Sequence, residues 1–177
     1  YDPTFHYELA VIIQDGMRRM FQEQEDVVYY LTVMNENYSH PGLPQGAEAG
    51  IIKGLYRLSE GGKAKGKTKK PHVQLMGSGA ILREVMAAAE LLEADWGVAA
   101  DVWSATSFNE LRREAQETHR WNLLHPDKKQ KLSYVEQCLD KTEGPIIAST
   151  DYIRAFPDQI RPYVQRRYVT LGTDGFG

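Results

Sequence analysis

His72-Val73-Gln74-Leu75-Met76-Gly77-Ser78-Gly79, running on into Ala80-Ile81-Leu82-Arg83-Glu84-Val85-Met86, is the stretch that decides the fold. His72 to Met76 has the mostly apolar character of a strand, and Gly77-Ser78-Gly79 reads as a tight turn. Over residues 80–94, Ile81, Leu82, Val85, Met86, Ala89 and Leu92 recur at spacings of three and four, which predicts a helix with those residues on its buried side. Gly97 closes that helix, and Val98 to Ser104 is the next strand. Two strands joined through a helix make a parallel pair, because parallel neighbours need a crossover.

The same alternation continues downstream. Ser107 is placed to cap a helix from Phe108 to Glu117, with Glu110 as capping-box partner. Ser133 caps a second helix from Tyr134 to Leu139. Pro145 to Ser149 is a strand. Residues 151–164 read as mostly helical, broken or kinked at Pro157 and Pro162, and Tyr168 to Gly172 is the last strand. The pattern predicts an α/β domain: a mostly parallel sheet with helices on both faces.

Upstream the reading changes. Residues 3–22 read as a helix, with Leu9, Ile13, Met17 and Met20 as its stripe, widened by Ile12 and Phe21. Asp26 to Met34 is nearly continuous in β-branched, aromatic and apolar residues, which predicts a strand buried on both faces. It stops at Asn35-Glu36-Asn37. Ser39 to Gly46 holds two prolines and two glycines and reads as a crossing segment. Ile51 to Leu58 fits either a short helix followed by an extended piece or a single strand. The division expected is the end of one α/β domain over 1–45, a linker over 46–55 and a second α/β domain, incomplete, over 56–177. Tyr1-Asp2-Pro3-Thr4-Phe5 and Thr173-Asp174-Gly175-Phe176-Gly177 both look like cuts in a longer chain.

Composition excludes several function classes. With 177 residues and a formal charge of −3, the chain is no general nucleic-acid binder, and no apolar run is long enough to span a bilayer. The one basic block, Lys63 to Lys70, reads first as a solvated mobile loop and second as a contact for an anionic partner. Cys138 is the single cysteine, so no internal disulfide forms, and a reducing compartment fits. No two histidines lie three or four residues apart, so no metal motif appears. Gly77-Ser78-Gly79 sits where dinucleotide folds hold phosphate, but Leu82 stands where a third small residue belongs, and a structural turn is favoured. Asp151-Tyr152 and Thr173-Asp174 read as helix and turn caps. The candidate functional residues are Asn35, Glu36 and Asn37 at a strand's carboxyl end, where α/β proteins gather ligands, with His40 on the loop beyond. The structural alternative, in which these residues only leave the sheet and satisfy their own backbone, stays open.

Several segments resemble the homodimeric bacterial pyruvate dehydrogenase E1 family, in order and at nearly matching spacings. They include Tyr1 to Phe5, Tyr29 to Tyr38, Val73 to Gly79, Thr106 to Leu111, Arg120 to Pro126, Ala148 to Tyr152 and Gly172 to Gly177. The resemblance covers essentially the whole chain; the basic block departs from it. It implies a transketolase-like enzyme of three α/β domains, of which residues 1–45 end the middle, pyrimidine-binding domain. It implies a bacterial, cytoplasmic homodimer that binds thiamine diphosphate with Mg²⁺, decarboxylates pyruvate, and passes the acetyl group to the lipoyl domain of the E2 dihydrolipoyl acetyltransferase, as a multienzyme complex following glycolysis. The catalytic histidines, the activating glutamate and the metal–diphosphate motif of that family lie before Tyr1. No catalytic, cofactor or metal residue is therefore assigned here, and this segment alone is expected to bind neither cofactor. Asn35 aligns with an arginine that binds substrate phosphate in sugar-phosphate relatives. A neutral amide cannot replace that guanidinium fork, so a small unphosphorylated 2-oxo acid fits better. Asn35, Glu36, Asn37 and His40 are the expected lining of the substrate channel. The rival expectations are an enzyme for another 2-oxo acid and a non-catalytic α/β dimerisation or interaction module.

Overall fold

A computed structural model describes residues 1–62 and 70–175. Five strands form one sheet in the order β1-β3-β2-β4-β5: β1 Tyr56–Ser59, β2 His72–Gly77, β3 Ala99–Ser104, β4 Ile146–Ile153 and β5 Tyr168–Thr173. β2, β3, β4 and β5 pair in parallel, and only the edge strand β1 is antiparallel. The parallel sheet expected from the strand–helix alternation is therefore present.

Alternate residues of the strands feed two apolar layers. On one face Leu75, Ala100 and Val102 pack with Phe5 and with Leu82 and Val85 of α3 (Ile81–Trp96). On the other, Met76, Trp103, Ile146, Ala148 and Tyr168 meet Phe108, Leu111 and Ala115 of α4 (Phe108–Leu124), and Val135 and Leu139 of α5 (Tyr134–Leu139). Covered on both faces, β3 is buried at all its positions, as a central parallel strand requires. Ile160 and Tyr163 close the second layer, between α6 (Ala155–Asp158) and β5. Pro157 and Pro162 keep this region to α6 and a 3-10 turn at Arg161–Tyr163, much less helix than expected over 151–164. β4 takes up the first of those residues, so Asp151 and Tyr152 lie in a strand and are not helix caps.

Local signals held at several ends. The Ser107 hydroxyl accepts from Glu110 N–H at 3.1 Å, but the Glu110 side chain turns to Arg113, so no capping box closes there. α4 continues through the expected stop at Glu117 to Leu124. Ser133 and Glu136 do form the reciprocal box at α5. The 46–55 segment, expected as a linker, carries helix α2 (Glu48–Lys53), which resolves Ile51 to Leu58 as a helix followed by the strand β1. The basic block lies outside the described residues apart from Lys70, whose Nζ pairs with Glu93 at 2.8 Å.

The first 45 residues depart most from expectation. α1 spans His6–Met17 and runs on as a π-helical turn over Arg18–Gln22. Its buried side is Glu8, Ile12, Asp15 and Gly16, whereas Ile13, Met17 and Phe21 of the expected buried stripe are exposed. The helix is apolar on two sides, and within this chain the inner one meets α2 and hydrogen-bond donors. Asp26 to Met34 is extended but belongs to no sheet. Tyr29 and Leu31 pack inward while Val28, Tyr30 and Val33 face outward. The strand pattern is legible because both faces are apolar; the described chain supplies only one covering layer and no neighbouring strand.

The turn after β2 depends on glycine. A Cβ on Gly77 would lie 2.7 Å from Leu82 Cα, so the helix packs directly on the strand end. Gly79 has φ +51°, and a Cβ there would lie 2.7 Å from Asp2 Oδ1. Gly79→Val is expected to lower unfolding free energy by about 1–3 kcal/mol. A denaturant titration with an unchanged midpoint would remove the steric account of this turn.

Candidate functional site

β2 leads to β3 on one side, and the chain then returns to β4 on the other side of β2, so the crossover direction reverses between β2 and β4. The crevice outside the carboxyl ends of these two strands is the place where open α/β sheets take ligands. Here the first residues of the chain fill it. Asp2 N–H donates to Thr106 O at 2.7 Å, Gly79 N–H donates to Asp2 O at 3.2 Å, and the Thr4 hydroxyl donates to Gly79 O at 2.7 Å. Ser78 and Thr150, the residues just past Gly77 and within β4, share a hydroxyl hydrogen bond at 3.2 Å.

Asp2 therefore stands at the start of α3, where an anion would be welcomed by outward-pointing N–H groups. Its Oδ1 accepts from the Thr32 hydroxyl at 2.5 Å, and its Oδ2 is buried without a hydrogen bond among the described residues. Burial pushes the Asp2 carboxyl above its ordinary range, opposed by the Thr32 hydroxyl, and nearby Asp151 adds to the rise. A phosphate at this turn would meet both a like charge and an occupied crevice. The glycine turn is thus structural, as its sequence favoured.

Beside Asp2 a cleft of about 590 Å³ opens over the ends of β4 and β5, walled by Tyr1, Tyr30, Thr32, Tyr152, Phe156 and Thr173 among others. Its surface is mainly apolar, with the rings of Tyr1, Tyr30, Tyr152 and Phe156 in its wall. Asp151 lines it also, and burial raises the Tyr152 phenol. Among the described residues its lining holds no histidine, lysine or cysteine, and its hydroxyl–carboxylate contact is Thr32 on Asp2, so the geometry suits binding and packing more than covalent chemistry. Cys138 is no alternative nucleophile, since burial pushes its thiol up. Among the described residues no group of three or more His, Cys, Asp or Glu is arranged to hold a metal ion.

A second hollow, of about 410 Å³, lies at the opposite end of the sheet and is lined by Arg57, His72, Asp101 and Lys141 among others. Burial opposes ionisation of Asp101, but Gly61 N–H, the Gln74 amide and His72 hold its carboxyl below the usual range. Gln74 also accepts from Trp103 Nε1 at 2.8 Å and His72 Nε2 approaches Asp101 Oδ1 at 3.1 Å, so these polar groups form one connected cluster under the strand starts.

The residues singled out from sequence sit elsewhere. Asn35 and Asn37 are exposed on the extended segment. Glu36 pairs with Arg83 at 3.2 Å. His40 accepts from His6 N–H at 3.2 Å and stacks on the His6 ring with centroids 3.4 Å apart. Glu36 and His40 border a small hollow of about 100 Å³ with Phe5, Leu9 and Val33. None of the four lines the aromatic cleft. Asp2, Thr32, Asp151 and Tyr152 do line it, and sequence reading had passed over Asp2 and Thr32. No local pattern marks them, because their partners, Thr106, Gly79 and one another, lie far off in sequence.

Residues 54–177 match the family described as transketolase-like TK C-terminal domain, and residues 1–41 match that described as pyruvate dehydrogenase E1 component middle domain. Among curated proteins, the pyruvate dehydrogenase E1 component of Cupriavidus necator is 59% identical over 177 residues, covering 100% of this chain and 19% of its own length. That of Pseudomonas aeruginosa is 58% identical, covering 100% of this chain and 20% of its own. That of Escherichia coli K12 is 51% identical, covering 100% and 19%. The chain thus spans about a fifth of the length of these relatives.

The burial of Asp2 has a pH signature. A carboxyl raised in the folded state binds protons that the unfolded chain has released, so its contribution falls as pH rises from the ordinary aspartate value, about 3.9, through the folded value. Asp2→Asn carries no charge at any pH. Its melting temperature relative to the parent is expected to rise between pH 4 and pH 7 on that account, and thermal melts giving a pH-independent difference would contradict it.

Proposed function

Since the chain belongs to the transketolase-like C-terminal domain family, we propose that it serves in a bacterial pyruvate dehydrogenase E1 component, as the end of the middle domain (residues 1–45) and most of the C-terminal domain (from residue 56). The observation that carries this reading is the match along the whole chain, at 51–59% identity, to three relatives bearing that name. In this reading the parent enzyme acts on pyruvate with thiamine diphosphate and Mg²⁺, and hands its product to the E2 component in the cytoplasm. Thiamine diphosphate supplies an electron sink for decarboxylation when bound.

The described residues do not fit that cofactor by themselves. A diphosphate with Mg²⁺ needs several oxygen ligands in octahedral array, and the one helix start that resembles a phosphate cradle is filled by Asp2. The role of this segment is architectural: it builds the C-terminal sheet and presents apolar surface. Ile13, Met17 and Phe21 on one element and Val28, Tyr30 and Val33 on the next remain open; in the parent these faces are where the rest of the middle domain and a second subunit pack. No helix among the described residues is long and apolar enough to cross a membrane.

The substrate-channel assignment of Asn35, Glu36, Asn37 and His40 is retained as part of this proposal, on the ground that Asn35 and Asn37 are exposed and available to a ligand. An assay of the full-length enzyme with pyruvate and other 2-oxo acids tests the whole reading; a preference for a branched or longer acid would favour an E1 of different substrate. In the same assay Asn35→Asp is expected to raise KM for pyruvate several-fold, because a carboxylate in a closed site repels an anionic substrate more strongly than in water. Unchanged kinetics would remove Asn35 from the channel. Calorimetry of the 177-residue chain with thiamine diphosphate and Mg²⁺ is expected to show no tight binding, and a micromolar dissociation constant would place the cofactor site in this segment.

A further inference from the structure

The polar residues of the 35–40 segment are held by a column of rings. His6 begins α1, and its ring stacks on His40 with centroids 3.4 Å apart and planes 13° from parallel. His40 leans on Tyr38 at 4.3 Å, and the Arg83 guanidinium of α3 lies over the Tyr38 ring at 4.5 Å. The Tyr38 hydroxyl donates to Thr4 O, and Glu36 pairs with Arg83. One bond in this column depends on protonation. His6 N–H donates to His40 Nδ1, so Nδ1 must carry a lone pair, and the neutral ring holds its proton on Nε2.

We propose that His6 and His40 form a proton-released clasp, which docks residues 35–40 on the start of α1 while His40 is neutral and frees them when His40 is protonated. A proton on Nδ1 would replace an N–H···N bond with two donors facing each other. It would also press a cation against the His6 ring and toward Arg83. The groups facing His40 are the His6, Tyr38 and Phe5 rings, then Arg83 and Glu36. The one carboxylate among them is already paired with Arg83, so no free acid offsets the new charge. In keeping with this, partial burial, His6 and Arg83 all lower the His40 imidazole below its ordinary value.

A histidine lowered in the docked state leaves the clasp intact above the free imidazole value, about 6.5; as pH falls from there towards the docked value the opening constant grows by up to about tenfold per pH unit, and below the docked value it levels off. The clasp is independent of which substrate the enzyme takes. It gives residues 35–40 a docked and a released state whose balance the surrounding pH sets.

Hydrogen–deuterium exchange on the full-length protein tests it, at pH 7.5 and 5.5, with rates corrected for the intrinsic pH dependence of exchange. Peptides covering residues 33–42 are expected to lose protection at pH 5.5 while peptides from β3 and α4 do not. His40→Asn keeps an acceptor for His6 N–H without a titrating ring, and its 33–42 peptides should be equally protected at both pH values. His40→Ala should be unprotected at both. A parent protein with pH-independent protection, or a His40→Asn variant with the parent's pH response, overturns the proposal; the β3 and α4 peptides report in each case whether the variant is folded.

Discussion

The carboxylate of Glu8 is the joint on which this molecule depends. It is fully buried, and its two oxygens accept four hydrogen bonds: from Thr4 and Phe5 N–H at 2.5 and 2.9 Å, from the Tyr56 hydroxyl at 2.7 Å and from the Ser104 hydroxyl at 2.6 Å. One side chain thereby caps its own helix and ties it to the edge strand β1 and to the end of its neighbour β3. Burying a carboxylate in an apolar core is costly unless its acceptor sites are filled, and here each is. Tyr7 completes the arrangement by donating to the Tyr56 hydroxyl at 2.6 Å. Burial holds the Tyr7 phenol up at about 12 and pushes Tyr56 higher still, Glu8 adding to the rise. The phenols thus remain donors through the physiological range.

Because Glu8 fixes α1 against the sheet, the five residues before it have a defined path. They run across the crevice between β2 and β4, and Asp2 reaches the start of α3. A position that other α/β proteins leave for a ligand is here a seam between two parts of one chain. The aromatic cleft beside it, the stacked Tyr1 and Tyr29 rings and the extended 26–34 segment continue the same seam. The residues before α2 are therefore held against the sheet mainly at this end.

The fold after residue 56 was legible because its signals are local. The apolar runs at 72–76, 98–104, 145–149 and 168–172, the Ser107 and Ser133 caps and the Gly97 stop each act over a few residues. The upstream part was less so. Periodicity marked Ile13 and Met17 as inward, yet the inward face of α1 is organised by Glu8 and Asp15, some of whose partners lie far away in sequence. Asp15 accepts from Arg18 one turn along the helix and from the Tyr29 hydroxyl beyond it, and no helical pattern reveals the second of these. The site was legible in part: the glycine turn was read correctly as structural, but nothing local to it names Asp2 as the group that fills the crevice. Asp151 and Tyr152 were misread for a related reason, since β4 extends past its apolar run into residues that pattern alone assigns to a cap.

The Glu8–Ser104 bond spans 96 residues, and this separation has a consequence during synthesis. A ribosome adding roughly 5–20 residues per second releases α1 several seconds before β3 exists. During that interval Glu8 has its own helix N-terminus and, from halfway, the Tyr56 hydroxyl, but not that of Ser104, and Asp2 has no Thr106 to bond. The early-emerging helix, apolar on two sides, is then a nascent segment waiting for its sheet, and long-range closure of this kind is intrinsically slow. The polar contacts that finish the native structure are thus among the last that the growing chain can make. A cell producing this protein makes this helix before the strand that will hold its inner face, and the inner face is not fully matched until β3 has left the ribosome.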